Sequence, residues 1–367
     1  MATNASNQIA LINEYVTGPP AEELVRRSGI IKDTDKPSSE QPLNILDNSS
    51  GIGTLIFRAL VPNLNSDQIK KITAGDLDEN YLSLLRERAE NKSLTSKIQA
   101  MKLDQQNPGL ESSSFDFIFS NFGVFFAPND EAVLKETLRM LKPGGTAGFT
   151  SWHKISWWDE ILLPAMEQYL PGAPALPHPA DLFPSEGWME EENVRAKLES
   201  AGFGDVSAEI CAFTPDIKAE EFARACAHLV KVVVRRAWEE EDRQRFGGDL
   251  VETALLDYSN SQFGGKWNGK MKAILAFGRK ISTPSSLPWD PPSFACCRHK
   301  LPVHHLRVHL LLEVIRSLSH RRALLQVITV DSPAAIEDLS RAEWSQRFGL
   351  HITEFSFQID GILDSRN

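Results

Sequence analysis

The segment over residues 43–54, LNILDNSSGIGT, constrains the fold of this chain more than any other. A short apolar run ends at Asp47, a turn with Gly51 and Gly53 follows, and a helical pattern begins near Thr54. The glycines let a ligand approach the main chain, and the first amides of the helix have no partners within it. The segment therefore predicts a buried strand, a tight turn and a helix start. A loop of this kind also occurs in dinucleotide-binding folds.

Four further predicted strands follow this loop, and two of them also end in an acid. Asp76 and Asp104 end the next two apolar runs. Asp76 lies about as far beyond the glycines as the acid of a βαβ unit that reaches a ribose. Helices predicted over residues 79–91 and 130–141 alternate with the strands, which is typical of a parallel sheet covered on both faces. The strands are predicted over residues 43–47, 69–76, 98–104, 114–122 and 145–152.

Taken in order, these features resemble the class I S-adenosylmethionine-dependent methyltransferases, and especially the small-molecule enzymes of fungal secondary-metabolite pathways. The features are the Asp47 loop, Asp76, Asp104, the strand with Phe115 and Asp116, and the Leu-Lys-Pro-Gly-Gly turn at residues 141–145. The resemblance covers about residues 10–280. It implies an α/β fold with a doubly wound, seven-stranded, mostly parallel sheet of the Rossmann-like methyltransferase type. The implied strand order is 3-2-1-4-5-7-6, with strand 7 antiparallel and a helical lid between strands 6 and 7.

The resemblance also implies S-adenosyl-L-methionine as the cofactor and assigns roles to the strand ends. Asp47 would hold the amino-acid end, Asp76 the two ribose hydroxyls and Asp104 the adenine amine. Ser49 stands where the family has a third glycine, so a negative φ or some backbone strain is expected there. The predicted cofactor-binding residues are Asp47, Ser49, Gly51, Gly53, Asp76, Leu77, Asp104, Gln105, Asn121 and Phe122.

Each of these roles has a structural alternative. Asp47 can cap its own turn, Asp76 can cap the following helix, and Asp104 can be a solvated loop acid. Phe122, placed where the fourth strand opens towards the methyl group, can instead be an ordinary core residue. Asp116 is predicted to be structural, fixing the start of the fourth strand through backbone hydrogen bonds.

Methyl transfer depends mainly on holding two reactants close and in line, so no protein nucleophile is expected. His153 directly follows the fifth predicted strand and is the candidate catalytic base, because a neutral His accepts protons near pH 7. Its alternative is a packing or surface residue, and His178 in a Pro-rich loop is a second candidate base. Aromatic residues of the same region predict either the wall of an acceptor pocket or ordinary lid packing. They are Trp152, Trp157, Trp158 and Trp188.

The chain is predicted to divide near residue 281. Residues 1–281 would form the methyltransferase domain, with a core over 43–152 and the lid and last strands over 153–281. The Pro- and Ser-rich stretch that begins at residue 282 marks a boundary. Residues 282–367 are predicted to be an appendage whose fold the sequence does not indicate. Its Cys and His residues match no common zinc spacing, so no metal site is predicted.

Composition limits the partners and the compartment. The formal net charge of −10 argues against nucleic acid as a partner, because phosphate binding requires a basic surface. No apolar run reaches the roughly 18 residues of a membrane span, and the N-terminus has no secretory pattern. Four cysteines in 367 residues do not form a disulfide framework. These observations predict a cytoplasmic protein with a small-molecule acceptor and no membrane partner; they leave the oligomeric state open.

The predicted function is S-adenosylmethionine-dependent methylation of a small organic acceptor, on oxygen, in secondary-metabolite biosynthesis. Two alternatives stay open at this point. A nicotinamide-dependent oxidoreductase uses a similar loop and ribose acid, and a non-catalytic scaffold could keep the methyltransferase fold without turnover. The Leu-Lys-Pro-Gly-Gly turn and Asp104 favour the methyltransferase, whereas Ser49 and the C-terminal segment favour the scaffold.

Overall fold

The computed structural model describes residues 13–31, 41–247, 249–266 and 269–281. These residues form one seven-stranded sheet with helices on both faces. The strands are β1 Leu43–Asp47, β2 Ile69–Asp76, β3 Ile98–Lys102, β4 Phe115–Asn121, β5 Leu141–Lys154, β6 Gly204–Phe213 and β7 Met271–Arg279. The helices are α1 Gly18–Arg27, α2 Val61–Asn63, α3 Glu79–Asn91, α4 Asp130–Met140, α5 Leu163–Tyr169, α6 Glu191–Ser200, α7 Ala219–Ala237, α8 Glu240–Phe246 and α9 Asp249–Phe263.

The sheet has the strand order β3-β2-β1-β4-β5-β7-β6. Strand β1 pairs in parallel with β2 and β4, whereas β7 runs antiparallel to β5 and β6. This arrangement confirms the fold that the resemblance implied. Because parallel strands end at the same edge of a sheet, Asp47, Asp76 and Asn121 lie in a row along the carboxyl edge.

Two strands differ in length from the prediction. Strand β3 ends at Lys102, two residues early, although the Leu103 amide still donates to the Asp76 carbonyl at 2.9 Å. Strand β5 spans 14 residues and begins at Leu141, directly after α4. Both differences arise from pairing with neighbouring strands, which local residue patterns do not specify.

The two glycines of the Leu-Lys-Pro-Gly-Gly turn are needed for different physical reasons. Gly144 has a φ of +80°, a left-handed angle that favours glycine. Gly145 is crowded, because a Cβ there would lie 2.9 Å from the Lys142 carbonyl oxygen and 3.0 Å from that of Asp116. Backbone hydrogen bonds with Lys280 then fix this turn beside the end of β7.

Asp116 fixes the start of β4, as predicted. Its Oδ2 accepts a hydrogen bond from the Asn44 amide at 2.8 Å, which ties β4 to β1. The Lys142 ammonium donates to the same carboxylate at 2.8 and 2.9 Å. The carboxylate therefore joins β1, β4 and the turn before β5.

Apolar side chains cover both faces of the sheet. On one face, α1, α3 and the helical segment over residues 55–63 pack on β1, β4 and β7 through side chains such as Leu24, Ile56 and Phe119. On the other face, α4 and α6 pack through Val133, Leu198 and neighbouring residues. A third apolar cluster holds α5, α7 and α9 together beyond the end of β5. These helices form the helical block predicted between strands 6 and 7, together with the segment after β5.

The N-terminal helix is anchored beside the carboxyl edge. Helix α1 has Pro19 and Pro20 directly after its first residue, where an amide would have no partner within the helix. Arg58, in the helical segment after the glycine turn, donates to Glu22 at 2.8 Å and to the Glu14 carboxylate at 2.9 Å. These partly exposed ion pairs hold residues 14–22 against the helix that follows the glycine turn.

Across the described ranges up to residue 281, no helix combines the length and apolarity that crossing a bilayer requires. Residues 32–40 and the predicted appendage over 282–367, with its Cys and His residues, lie outside the described residues.

We predict that a chain ending at Thr283 stays soluble, unfolds cooperatively and binds the same small ligands as the full chain. The sheet is complete at Arg279, and Ile281 packs against Gly204, so truncation after Ile281 removes none of the described contacts. Melting curves of both lengths, recorded side by side, test this. Precipitation of the short form would show that residues beyond 283 belong to the fold.

Candidate functional site

The glycine turn is held by the strands on either side of β1. The Asn48 amide donates to the Phe119 carbonyl of β4 at 2.7 Å, and the Ser50 amide donates to the Gly75 carbonyl of β2 at 2.8 Å. Gly51 and Gly53 have φ values of +51° and +83°. Glycine is required at both positions by the backbone angle, as the sequence predicted.

The Asp76 carboxylate fixes the turn from the next strand. Its Oδ2 accepts a hydrogen bond from the Gly51 amide at 2.8 Å, and its Oδ1 accepts one from the Asp78 amide at 2.9 Å. Asp78, rather than Asp76, caps helix α3 by accepting from the Asn80 amide. Asp76 is half-buried, and each of its oxygens can accept a further hydrogen bond.

Asp47 is the most strongly perturbed acid of the site. Its side chain is 1% exposed, and neither carboxylate oxygen has a hydrogen-bond partner among the described residues. Burial, together with the negative charge of Asp76, raises the pKa of Asp47 to about 8. The Ser49 amide opposes this shift, but it does not reach hydrogen-bond geometry. A cation placed here would restore the ionised form.

Buried polar atoms without partners concentrate at this edge. In the described part of the chain there are ten such side-chain atoms, and eight of them lie at or just beyond the carboxyl ends of β1, β3 and β5. Native interiors leave few such groups unpaired, so the concentration points to a ligand site. The eight atoms are both carboxylate oxygens of Asp47, both amide atoms of Asn48, and one atom each of Ser50, Gln105, Ser151 and His153.

The ends of β2 and β3 bring three predicted residues to the same edge. Asp104 Oδ1 accepts from the Gln106 amide at 2.9 Å, while its Oδ2 has no partner within the described ranges. Gln105 is buried and donates to the Gly123 carbonyl at 2.9 Å. Leu77, directly after β2, is 59% exposed.

The end of β4 carries a strained residue. Phe122 has a φ of +54°, a conformation that costs an aromatic residue about 1–3 kcal/mol. Thr150 supports it, because its hydroxyl accepts from the Phe122 amide at 2.8 Å and donates to Asn121 Oδ1 at 2.8 Å. The Phe122 ring packs on Trp152 with centroids 4.2 Å apart. Strain of this kind clusters at functional sites.

The candidate bases, His153 and His178, and the predicted wall tryptophans lie in different parts of the structure. His153 lies in β5 at an irregularity in its pairing with β7, and its Nδ1 is buried without a described partner. His178 Nδ1 instead accepts from the Ala180 amide at 3.2 Å, so that nitrogen is already used. Trp157 and Trp158 pack together in the apolar cluster that holds α5, α7 and α9, with ring centroids 5.4 Å apart.

The predicted grouping of Trp188 with Trp157 and Trp158 is wrong, because Trp188 belongs to a different apolar cluster, against which Trp152 also packs. Its indole donates to Asp130 at 2.7 Å and its ring packs on Phe149, on the face covered by α4 and α6. A buried indole needs a hydrogen-bond partner, and Asp130 at the start of α4 supplies it.

Sequence reasoning missed several residues of the site. Asn48 and Ser50 lie inside the predicted turn, so their polarity beside a buried strand was an available signal. Thr150 and Ser120 lie within strands and touch the site only through contacts with distant residues. Within the described ranges, no group of three or more His, Cys, Asp or Glu residues could hold a metal ion.

Comparison with known proteins gives a consistent result. A family described as "Methyltransferase domain" matches residues 49–149. The methyltransferase tpcH of Aspergillus fumigatus is 30% identical over 266 residues, covering 71% of this chain and 91% of that protein. The acetylaranotin bis-thiomethyltransferase of Aspergillus terreus is 29% identical over 274 residues, covering 73% of this chain and 91% of that protein. The methyltransferase ktnA of Aspergillus niger is 27% identical over 71% of this chain and 90% of its own length.

We predict that the ligand-free protein loses stability as pH rises towards 8, because of Asp47. Its folded-state pKa is about 8, whereas an unfolded Asp titrates near ~3.9. The folded state therefore binds more protons between these values, and stability falls by up to about 1.4 kcal/mol per pH unit there. Melting temperatures between pH 5 and 8 should fall less steeply in Asp47→Asn than in the wild type. Parallel curves for the two proteins would contradict the assignment.

Proposed function

Because the chain belongs to the S-adenosylmethionine-dependent methyltransferase family, as the tpcH relative shows, we propose that it methylates an oxygen atom of a small organic acceptor. The chain is a methyltransferase of small molecules that uses S-adenosylmethionine and is similar to enzymes of fungal secondary metabolism. This is the first of the three functions that the sequence left open, and neither the oxidoreductase nor the scaffold is needed to explain the site. The observation that carries the proposal is the row of unpaired polar atoms beside Asp47 and Asp76.

The residues at the carboxyl edge fit this cofactor. The α-ammonium of its amino-acid end requires an anion, and Asp47 is a buried acid without a described partner. Its ribose hydroxyls require acceptors, and the half-buried Asp76 has remaining acceptor capacity. Asp104 would accept from the adenine amine, and the exposed Leu77 would cover the ring with Gln105 beside it. Gly51 and Gly53 would allow close approach to the main chain, with Ser49 between them and Asp47.

When bound, S-adenosylmethionine supplies a methyl group on a positively charged sulfur, which an acceptor atom displaces in line. The protein's contribution is mainly to position the acceptor and to exclude water. Asn121 and Phe122 end β4 beside the cofactor loop, and Trp152 packs behind Phe122. These residues would form the acceptor side, and the helical block with Trp157 and Trp158 would be the lid.

His153 is the proposed base for the acceptor hydroxyl. Its Nδ1 has no partner among the described residues and can accept a proton. His178 is a poorer choice, because its Nδ1 receives the Ala180 amide and its Nε2 lies 3.9 Å from Asp159. The neutral ring of His178 therefore carries its proton on Nε2 and directs no lone pair to a substrate.

A thiol is a second acceptor class. The support is the acetylaranotin bis-thiomethyltransferase, which is 29% identical over 274 residues and acts, by its name, on sulfur. A thiol loses its proton more readily than an alcohol, so a thiol acceptor depends less on a protein base. The effect of removing His153 therefore separates the two classes.

The proposed compartment is the cytoplasm. The support is chemical: Cys211 and Cys226 are free thiols, and Cys226 is buried, where oxidation to a disulfide does not reach it. The net charge of −10 likewise supports a small-molecule partner over nucleic acid.

We predict that the purified protein transfers a labelled methyl group from S-adenosylmethionine to members of a panel of phenols, alcohols and thiols.

We predict that Asp76→Ala weakens cofactor binding by about 1.5–3 kcal/mol, the scale of a hydrogen bond to a charged group. Asp78→Ala is the matched control, because it removes a neighbouring acid that caps α3 without touching the glycine turn. Calorimetry with S-adenosylhomocysteine measures both variants. Equal affinity in Asp76→Ala and the wild type would mean that the ribose binds elsewhere.

We predict that His153→Gln slows methyl transfer to hydroxyl acceptors by about 10²–10⁴-fold, the usual contribution of a general base. The loss should shrink at pH values where the acceptor ionises by itself, and cofactor affinity should stay at the wild-type value. His178→Gln serves as the control and should retain activity. An unchanged rate in His153→Gln with every oxygen acceptor would remove the base role and favour a thiol acceptor.

A further inference from the structure

We propose that Ser49 is a positioning residue that ties the glycine turn after β1, which would hold the cofactor, to the end of β4. We further propose that residue 123, just after β4, is glycine because residue 49 is serine. The proposal rests on the proposed function, since it concerns the loop that would hold the cofactor. It accounts for the family glycine that the sequence lacks at position 49.

Ser49 fits its position without backbone strain. Its φ is negative, one of the two outcomes expected from the sequence. Its hydroxyl lies 3.0 Å from the Ser120 hydroxyl, at hydrogen-bond distance, near the end of β4. The side chain therefore points away from the turn it belongs to and joins the neighbouring strand.

Gly123 makes room for this side chain. A Cβ at Gly123 would lie 1.7 Å from Ser49 Oγ and 2.3 Å from Ser49 Cβ, far inside any real contact. The backbone angles of Gly123 are φ −113° and ψ −32°, which every residue can adopt. Gly123 is therefore required for space alone, in contrast to Gly51, which has a left-handed φ.

The contact joins the loop that would bind the cofactor to the end of β4, which would face the methyl acceptor. Ser49 lies between Asp47 and Gly51 in the cofactor loop, and Gly123 directly follows the strained Phe122. The Gly123 carbonyl also accepts from Gln105 at the end of β3. Three strand ends thus meet at Gly123, and a displaced Ser49 would shift the loop relative to Phe122. Small misplacements of this kind are costly in reactions that depend on alignment.

The test is a double-mutant cycle on the full chain. Gly123→Ala alone should lower the melting temperature of the ligand-free protein and weaken S-adenosylhomocysteine binding by roughly tenfold or more. Ser49→Gly combined with Gly123→Ala should return both properties to the level of Ser49→Gly alone, because it removes the two atoms in the way while the hydrogen bond to Ser120 stays lost. Ser49→Ala combined with Gly123→Ala should recover less, because the Cβ at 49 remains 2.3 Å from the new one.

A second crowded glycine supplies the specificity control. A Cβ at Gly75 would lie 2.9 Å from Leu103, so Gly75→Ala also disturbs the site, but through a different neighbour. Ser49→Gly should not rescue Gly75→Ala.

The outcome of the rescue decides the proposal. If Gly123→Ala does not fold, recovery of soluble protein in the double variant counts as rescue, and an equally insoluble double variant overturns the proposal. Equal rescue of Gly75→Ala, or no rescue in either measurement, also overturns it. Failure of the wild type to bind S-adenosylhomocysteine would instead contradict the proposed function, and the ligand-free melting temperatures would still report on the tie.

Discussion

The site depends on how the turn after β1 satisfies its backbone. Its amides are used by the strands on either side: Asn48 donates to Phe119 of β4, Ser50 to Gly75 of β2, and Gly51 to the Asp76 carboxylate. The main chain is thereby fixed, because its polar groups have partners. The side chains of Asn48 and Ser50, in contrast, have no hydrogen-bond partner among the described residues. A rigid turn with unpaired polar side chains is a preorganised ligand site.

This arrangement trades stability for binding. Asp47 is buried beside the negative charge of Asp76, and burying an unpaired carboxylate is unfavourable, as its raised pKa of about 8 records. A protein selected only for stability would replace it with an apolar residue. Its presence next to Asn48 and Ser50, which are also unpaired, is explained when a cationic ligand supplies the missing interactions.

Local patterns predicted the sheet well, and they predicted which acids lie together at its carboxyl edge. The run ending at Asp47 and the acid at Asp76 lie within single elements, so sequence alone could place them at one edge. The contacts of Ser49 with Ser120 and of Phe122 with Thr150 were not predictable, because each joins residues about 30 to 70 positions apart. The error at Trp188 has the same origin: nearness to the lid in sequence did not indicate the face of the sheet on which the indole packs.

The two sides of the site are built from different kinds of contact, and this explains why they differ in predictability. The part proposed to bind the cofactor consists of charges and glycines in a fixed order, which a sequence displays. The part proposed to face the methyl acceptor consists of satisfied hydrogen bonds, such as that of Thr150 with Asn121, and aromatic packing of Phe122 on Trp152. Aromatic surfaces accept many flat molecules at similar cost, since their attraction depends on area and shape more than on direction. On the proposed assignment, the acceptor is therefore selected by the three-dimensional packing of these side chains, which local sequence patterns do not specify.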